Sequence, residues 1–469
     1  MIAASAPFDQ TTLARLQELD PVVQRYRTFF SVLDWTCLPQ HDPLHPPPGP
    51  HPHPLSAYIK ALLVKVCEGK QYVTHLRQFL LEHPLLILEL GFHPVLDPSQ
   101  PYGFVVQSTL PCERWLRHQQ QTLSHSVLTT LLQATVALLH HEIAGLGETI
   151  AVDVKHIYAW VKENNFRQYV TERFDPKQQP TGDPDCTLGV KRSTNLLQPD
   201  GSSKEKKELL WGYGSGVVAA TTPDYGDVVL AEYTQGFNQA DVTYFEPLYL
   251  RTGATLGFFP THTTADAAYD AWYVYHKSAL HGGIAAVPLN QHGHPTFPRD
   301  PDGVPRCPKA LRMVPTFTFA HTTGYQALRY RCSLLFPQKT GETCDHAQFL
   351  KGCGCVKDVN NEKGGQMRVT LDRTSPLYKA IYRQRTSCER INSQAKELGI
   401  ERPKGRNARS VHNLNTLRIS SSTRKPYKGS HPSMLDFYKE NRADPLCHNF
   451  LCSPPSLDQQ CHRYGTHQR

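Results

Sequence analysis

Apolar positions recur every three or four residues through much of the first 145 residues, the period of a helix with one buried face. Leu13, Leu16, Leu19, Val22 and Tyr26 form one stripe, and Ile59, Leu62, Leu63 and Val66 a second. Leu76, Phe79 and Leu80 begin a third, and Leu123 to Ile143 carries a long fourth. Residues 41–54 are proline-rich and cannot continue a helix. The pattern predicts an α-helical N-terminal domain over residues 1–145. At Thr149 the rhythm changes. ETIAVDVKHIYAWV reads as a strand ending in a polar cluster, with Asp153 on it. A loop is expected from Phe174 to Lys207. LLWGYGSGVVAATT and DVVLAEYTQGF then read as two strands joined at the turn Pro223-Asp224-Tyr225-Gly226. Asp241 to Leu256 reads as a helix. THTTADAAYD ends a strand and opens a helix through Leu280, and GGIAAVPLN is a short strand. Residues 291–366, rich in Pro, Gly, Cys and His, break the pattern and read as an insertion. MRVTLD returns to a strand before a charged helix around residues 382–396. This order predicts an α/β fold with a mixed sheet, split between residues 146–290 and 367–417.

Hydrophobic residues make up 39% of the 469 and charged residues 20%, so the bulk of the chain should fold. The net charge of +8 tolerates a polyanion without demanding one. Met1 to Gln10 lacks the basic start and apolar stretch of a secretory leader. The densest apolar run, Leu80 to Leu90, is interrupted by Glu82, His83, Pro84 and Glu89, so no membrane span is expected. The expectation is a cytoplasmic protein, in which the 13 Cys are free thiols with at most one metal site.

The sharpest chemistry lies in YRQRTSCERINSQAKELGIERPKGRN. On one continuous helix, Tyr382, Arg385, Glu389 and Lys396 would fall within an arc of roughly 60° and form a stripe about 21 Å long. A carboxylate alone repels a phosphodiester, but one that shares a divalent ion and is flanked by Arg and Lys can act on it. The plain alternative is a solvated helix with i,i+4 charge support. Upstream, Asp153 and Asp266 each sit where a predicted strand runs out. Three carboxylates from two strand ends and a helix could converge on two Mg²⁺ or Mn²⁺ ions. Taken singly, Asp153 could end a strand, Asp266 could cap the helix that follows, and Glu389 could pair with Arg385. Asp270 competes with Asp266, and Glu397 with Glu389. Asp266 is preferred as nearer the strand end, and Glu389 as completing the stripe.

These residues resemble the insertion-sequence DDE transposases that carry a Y-(2)-R-(3)-E-(6)-K signature. Tyr382, Arg385, Glu389 and Lys396 match that signature in full. AVDVKH is similar to the family's first-Asp strand and TADAAYD to its second-Asp motif, over roughly residues 55–417. The resemblance implies an RNase H-like core with Asp153, Asp266 and Glu389 as metal ligands. Tyr382, Arg385 and Lys396 would hold DNA near the scissile phosphate. It implies metal-dependent nicking at terminal inverted repeats and joining to target DNA, by a homodimer in a nucleoprotein complex at the nucleoid. The helical N-terminal domain would help bind the DNA ends. Rival readings are a metal-dependent nuclease without strand transfer, and an inactive remnant that only binds DNA.

Three further features follow. The insertion offers Cys307, Cys332, Cys344, His346, Cys353 and Cys355. A structural zinc held by Cys332, Cys344, His346 and Cys355 is one reading, and free thiols on a loop the other. Arg402, Lys404, Arg406 and Arg409 form a basic run suited to phosphates, with Lys191 and Arg192 a weaker one. After Asn415 apolar periodicity is lost. The family normally continues with an apolar helix that packs on the core, so residues 418–469 read as an atypical tail. Either a frameshift replaced the last helix, or this is a genuine extra segment with Cys447, Cys452, Cys461 and His462 as metal ligands.

Overall fold

The computed structural model describes residues 10–42, 53–197, 203–223, 226–290 and 298–422. The proline-rich linker and the tail beyond residue 422 lie almost entirely outside them. The first helices are α1 (Gln10–Leu19), α2 (Pro21–Phe30), α3 (Leu55–Cys67), α4 (Val73–Glu82) and α5 (Pro84–Leu90). They are followed by α6 (Val106–Thr109), α7 (Glu113–Thr122) and α8 (His125–Glu142). The later stripes become buried faces, whereas the first is split between α1 and α2 and only its Tyr26 is buried, Leu19 being 71% exposed. Val23, Tyr26 and Phe30 of α2 are buried, as are Val73, Leu76, Phe79 and Leu80 of α4. Asp20 and Pro21 start a new helix within the first stripe: Asp20 accepts the Val22 and Val23 N–H groups at 2.8 and 3.0 Å, and Pro21 opens α2. Gly91, at φ +95°, ends α5 in the left-handed conformation that favours glycine.

The main sheet contains β1 (Thr149–Tyr158), β2 (Thr187–Leu197), β3 (Ser203–Thr222), β4 (Gly226–Gly236), β5 (His262–Thr264) and β6 (Ala285–Ala286). The strand order is β2-β3-β1-β5-β6, with β4 also paired to β3. β1 and β4 each pair antiparallel with β3, while β5 runs parallel to β1 and β6 parallel to β5. Helices α9 (Phe245–Leu256) and α10 (Trp272–Leu280) join α8 on one face, burying Val152, Val218, Leu230, Leu248 and Tyr275 together. Glycines in β3 permit this close approach. A Cβ on Gly214 would lie 2.1 Å from the Tyr244 hydroxyl oxygen, and one on Gly216 2.8 Å from the same ring.

The second sheet is β7 (Val314–Ala320), β8 (Gln326–Arg331) and β9 (Val356–Asn360), with α11 (Ala347–Leu350) between the last two strands. The chain returns through α12 (Lys363–Thr370), α13 (Pro376–Arg383), α14 (Thr386–Glu397) and α15 (Ala408–Ser422). α14 and α15 cover the other face of the main sheet, burying Ala151, Ile157, Val217, Cys388, Ile391, Ala395 and Val411.

Four expectations need correction. The stretch read as a loop to Lys207 contains β2 and the start of β3, which pair with each other from Leu197↔Ser203 to Thr187↔Gly212. Its charged residues Lys204 to Glu208 are exposed, so no apolar alternation marks the strand. MRVTLD is not a strand but lies largely in α12. Gly364 lets α12 lie against α10, since a Cβ there would be 2.2 Å from the Trp272 carbonyl oxygen. The insertion is not irregular throughout, because it holds the three-stranded sheet. Finally, the chain after Asn415 continues as helix to Ser422, with Leu417 and Ile419 buried. Its buried polar side chains hid it from periodicity, and four of them are hydrogen-bonded across the core. Asn413 donates to the Leu123 carbonyl (2.8 Å) and Asn415 to the Thr234 hydroxyl (3.2 Å). Thr416 donates to the Glu232 carboxylate (2.9 Å) and Arg418 to the Leu398 carbonyl (3.1 Å). α15 also packs against α3, α7 and α8, so the N-terminal helices and the end of the described chain share one core.

Candidate active site

Asp153 and Asp266 come together through the parallel pairing of β1 and β5. Thr149 is level with His262 and Ala151 with Thr264, and extending that register by two residues puts Asp153 level with Asp266. Asp266 caps a short 3-10 turn, Ala267–Tyr269, accepting the Ala268 N–H at 2.8 Å. The capping role foreseen as its plain alternative is therefore real, and leaves its second oxygen free of that bond. Asp153 accepts a hydrogen bond from the Asn392 side-chain amide at 2.9 Å. Burial pushes the Asp153 carboxyl up. The Val154 N–H pulls it back, Asp266 pushes it further up, and Asn392 and Arg385 pull against that.

A third aspartate joins them. Asp241 opens the 3-10 turn Asp241–Tyr244 ahead of α9. Burial, then repulsion from Asp266 and Asp153, push its carboxyl up to about 6. Beneath this group lies Tyr269, 1% exposed, whose hydroxyl has no hydrogen-bond partner among the described residues. Burial and the charges of Asp241, Asp153 and Asp266 hold its phenol well above the usual range.

The signature residues do not lie on one straight helix. Tyr382 belongs to α13, stacked on Tyr378 with ring centroids 5.7 Å apart, and Arg385 sits at the junction before α14. Arg385 reaches Glu389 with Nη2 to Oε1 at 2.6 Å and lies 6.0 Å from the centre of the Tyr382 ring. Burial pulls the Arg385 guanidinium down, but Glu389, Tyr382, Asp153 and Asp266 raise it overall. One cation thus stands among Glu389 and the two aspartates, while the Glu389 side chain is 49% exposed. Lys396 turns elsewhere, lying 3.6 Å from Glu401, which also binds Lys155 at 2.6 Å. Among the described residues, no three His, Cys, Asp or Glu side chains stand arranged to hold a metal ion.

The competing Asp270 is a structural residue. Its carboxylate is fully buried and accepts two bonds from Arg368 (2.8 and 2.6 Å), one from the Tyr275 hydroxyl (2.8 Å) and one from the Asn290 N–H (2.7 Å). The basic run lies along the end of β1. Arg402 sits 4.6 Å over the Tyr158 ring, and Lys404 and Arg406 at 4.8 and 4.6 Å over Trp160. Lys191 lies 5.2 Å over the same Tyr158 ring and pairs with Glu208. An open pocket of about 260 Å³ is lined there by Val154, Lys155, His156, Tyr158, Lys191, Lys396 and Glu401. Arg409 points away, donating to the Thr122 carbonyl at 3.3 Å. Of the expected zinc ligands, His346 and Cys355 are 3.3 Å apart, Cys332 is buried and Cys344 half-buried.

Sequence reasoning missed Asp241, Tyr269 and Asn392. Asn392 follows Glu389 by three residues, so helical spacing alone could have singled it out. Nothing local marks Asp241, which resembles any acid at a helix start. No protein-family model matches this chain, and no curated protein matches it in sequence. Among the described residues no single helix is long and apolar enough to cross a membrane.

Proposed function

We propose that the chain is a DNA strand-transfer enzyme of the DDE transposase class, built on an RNase H-like core. The observation that carries this reading is the meeting of Asp153 on β1 with Asp266 just beyond the parallel β5, with Arg385 of the signature beside both and paired to Glu389. A sheet of four antiparallel strands extended by two parallel ones, with acids on β1 and just beyond the first parallel addition, supports it.

The residues fit divalent cations in their donor chemistry. The carboxylates of Asp153 and Asp241 are pushed up by burial and by neighbouring acids, and the buried Tyr269 hydroxyl lacks a partner among the described residues. Hard oxygen donors of this kind suit Mg²⁺ or Mn²⁺. Asp153, Asp266 and Glu389 would hold the ions, and a bound pair would activate a water or 3′-hydroxyl and stabilise the leaving oxygen. The protein's own groups do the rest. Asn392 fixes the Asp153 carboxylate, and Asp266 is oriented by its cap. Arg385 offsets the acids' charge and presents a fork to a phosphodiester. Tyr382, held by Tyr378, flanks the same edge. Lys396 and the cations over Tyr158 and Trp160 line a second stretch of backbone path, where aromatic faces can also stack with bases. The DNA would be the element's terminal inverted repeats and a target duplex, held by a homodimer.

The test is a cleavage and joining assay with linear DNA carrying the gene's flanking ends, with Mg²⁺, Mn²⁺ or chelator. Nicking at the element end is expected with metal, and a Glu389→Gln variant should lose it by about 10³-fold or more, roughly 4 kcal/mol of barrier. Nicking without joining would reduce the reading to a nuclease. Binding without metal-dependent nicking would overturn it in favour of a DNA-binding remnant.

A further inference from the structure

Residues 298–362 fold around very little apolar matter. Cys307, Met313, Tyr330 and Cys355 are the buried members of their cluster, and β7 exposes Pro315 to Thr318 on both faces. Two of those four core side chains are cysteines, and the cysteines of this segment are free thiols. A small sheet of this kind gains stability chiefly from a cross-link or a metal.

Separate turns bring the thiols together. The β8–β9 ladder pairs Arg331 with Val356, which sets Cys332 beside Cys355 at its end. Gly354, at φ +67°, makes this approach possible, since a Cβ there would lie 2.7 Å from the Cys332 Cβ. Cys307 opens a tight turn, its N–H donating to the Leu311 carbonyl (2.9 Å) and its carbonyl accepting from Ala310 (2.8 Å). Cys332 opens another, its carbonyl accepting from Leu335 and Phe336 at 3.1 and 3.0 Å. The Cys344 segment is tied to the Cys307 turn by a Lys309–Asp345 ion pair of 2.8 Å. Cys307, Cys332 and Cys344 are all electrostatic neighbours of the Cys355 thiol. His346 Nδ1 touches Cys355 Sγ at 3.3 Å, but it also accepts the Gln348 N–H at the start of α11, also at 3.3 Å. Cys353 is exposed, with its sulfur near the Lys351 carbonyl.

We propose that Cys307, Cys332, Cys344 and Cys355 together bind one zinc ion, with His346 as a neighbour and not a ligand. The site differs from the set drawn from sequence by taking Cys307 in place of His346. In the structure the four thiols do not yet stand in ligating geometry; on binding they lose their protons and the ion draws them into a tetrahedron, with sulfurs about 3.8 Å apart for Zn–S bonds of about 2.3 Å. Ion and turns then hold a segment whose own core is small. The proposal is independent of the reading of the acidic site.

The full chain, prepared metal-free under reducing conditions, is titrated with Co²⁺ and then Zn²⁺, and zinc is counted by elemental analysis. One equivalent with the absorption of a tetrahedral tetrathiolate cobalt site is expected. Cys307→Ser, Cys332→Ser and Cys355→Ser should each weaken binding tenfold or more. Cys353→Ser, and a variant with Cys447, Cys452 and Cys461 all changed to Ser, should bind as the parent does. Because a ligand variant could misfold, the unaltered chain is also digested with a protease. Chelator should open cleavage between residues 298 and 362, and zinc should close it. A parent chain that takes up no zinc, a Cys307→Ser chain that keeps the cobalt spectrum, or a digestion pattern indifferent to chelator would each overturn the site. So would loss of metal in His346→Ala with retention in Cys344→Ser.

Discussion

The six-stranded and three-stranded sheets use similar strands but are held in different ways. The first is covered on both faces by helices, and its β1 and β3 bury Val152, Ile157, Val217 and Val218 completely or nearly so. The second has one thin cluster and an edge strand open to solvent. The first can afford acids that repel one another, because burial elsewhere outweighs them. The second spends its buried positions on thiols. Repulsion between acids thus sits where packing is densest.

The largest expected effect that sharpens this contrast is Leu248→Ala in α9. It empties a fully buried position of the main core and should cost about 2–5 kcal/mol in chemical denaturation. Next comes the joint between the two regions, where Arg368 of α12 grips the buried Asp270. Arg368→Ala leaves that carboxylate short of its cation and should cost about 2–3 kcal/mol, the Arg being partly exposed. An Arg368→Ala protein as stable as its parent would show that the joint is held by packing alone. Smaller and opposite in sign is Asp241→Asn. Asp241 titrates near 6 when folded, against about 3.9 for an unfolded Asp. Between those values the folded state keeps a proton that the unfolded chain has released, so this group's contribution to stability falls as pH rises from about 4 to 6. Asp241→Asn should therefore gain about 1–2 kcal/mol at pH 7 and nothing at pH 3.5, read from Tm against pH. Last, Phe317→Ala on the open edge of the small sheet should change stability by no more than about 0.5 kcal/mol. A loss of 2 kcal/mol there would mean that edge is covered.

The parts legible in the sequence were those where one rule dominates. β1 announced itself by β-branched residues running into Asp153, and Asp266 by the strand end before it. Preferring Asp266 to Asp270 rested on that position alone; in the structure Asp270 is held by Arg368, Tyr275 and the Asn290 N–H, while Asp266 caps the turn that follows it. The single helical stripe expected from the spacing does not form, because the chain passes through a turn at Gln384 and Arg385. What stayed hidden was set by distant partners. α12 is helical against α10 despite its paired glycines and β-branched residues. α15 buries Asn413, Asn415 and Thr416 against groups that only the folded sheet and α8 supply. Apolar periodicity does not register a polar side chain that is satisfied.

The position of α15 has a consequence for the order of events at synthesis. It is wedged against α3, α7 and α8, helices made some 270 to 370 residues earlier, and against β4, with Cys67 of α3 meeting Ser421 near its end. The N-terminal helices therefore cannot complete their core as they emerge from the ribosome. They must wait, with one flank uncovered, until almost all of the described chain has been made. A nascent chain stopped short of Ala408 would carry an open apolar groove, the kind of surface on which chaperones act and aggregates begin.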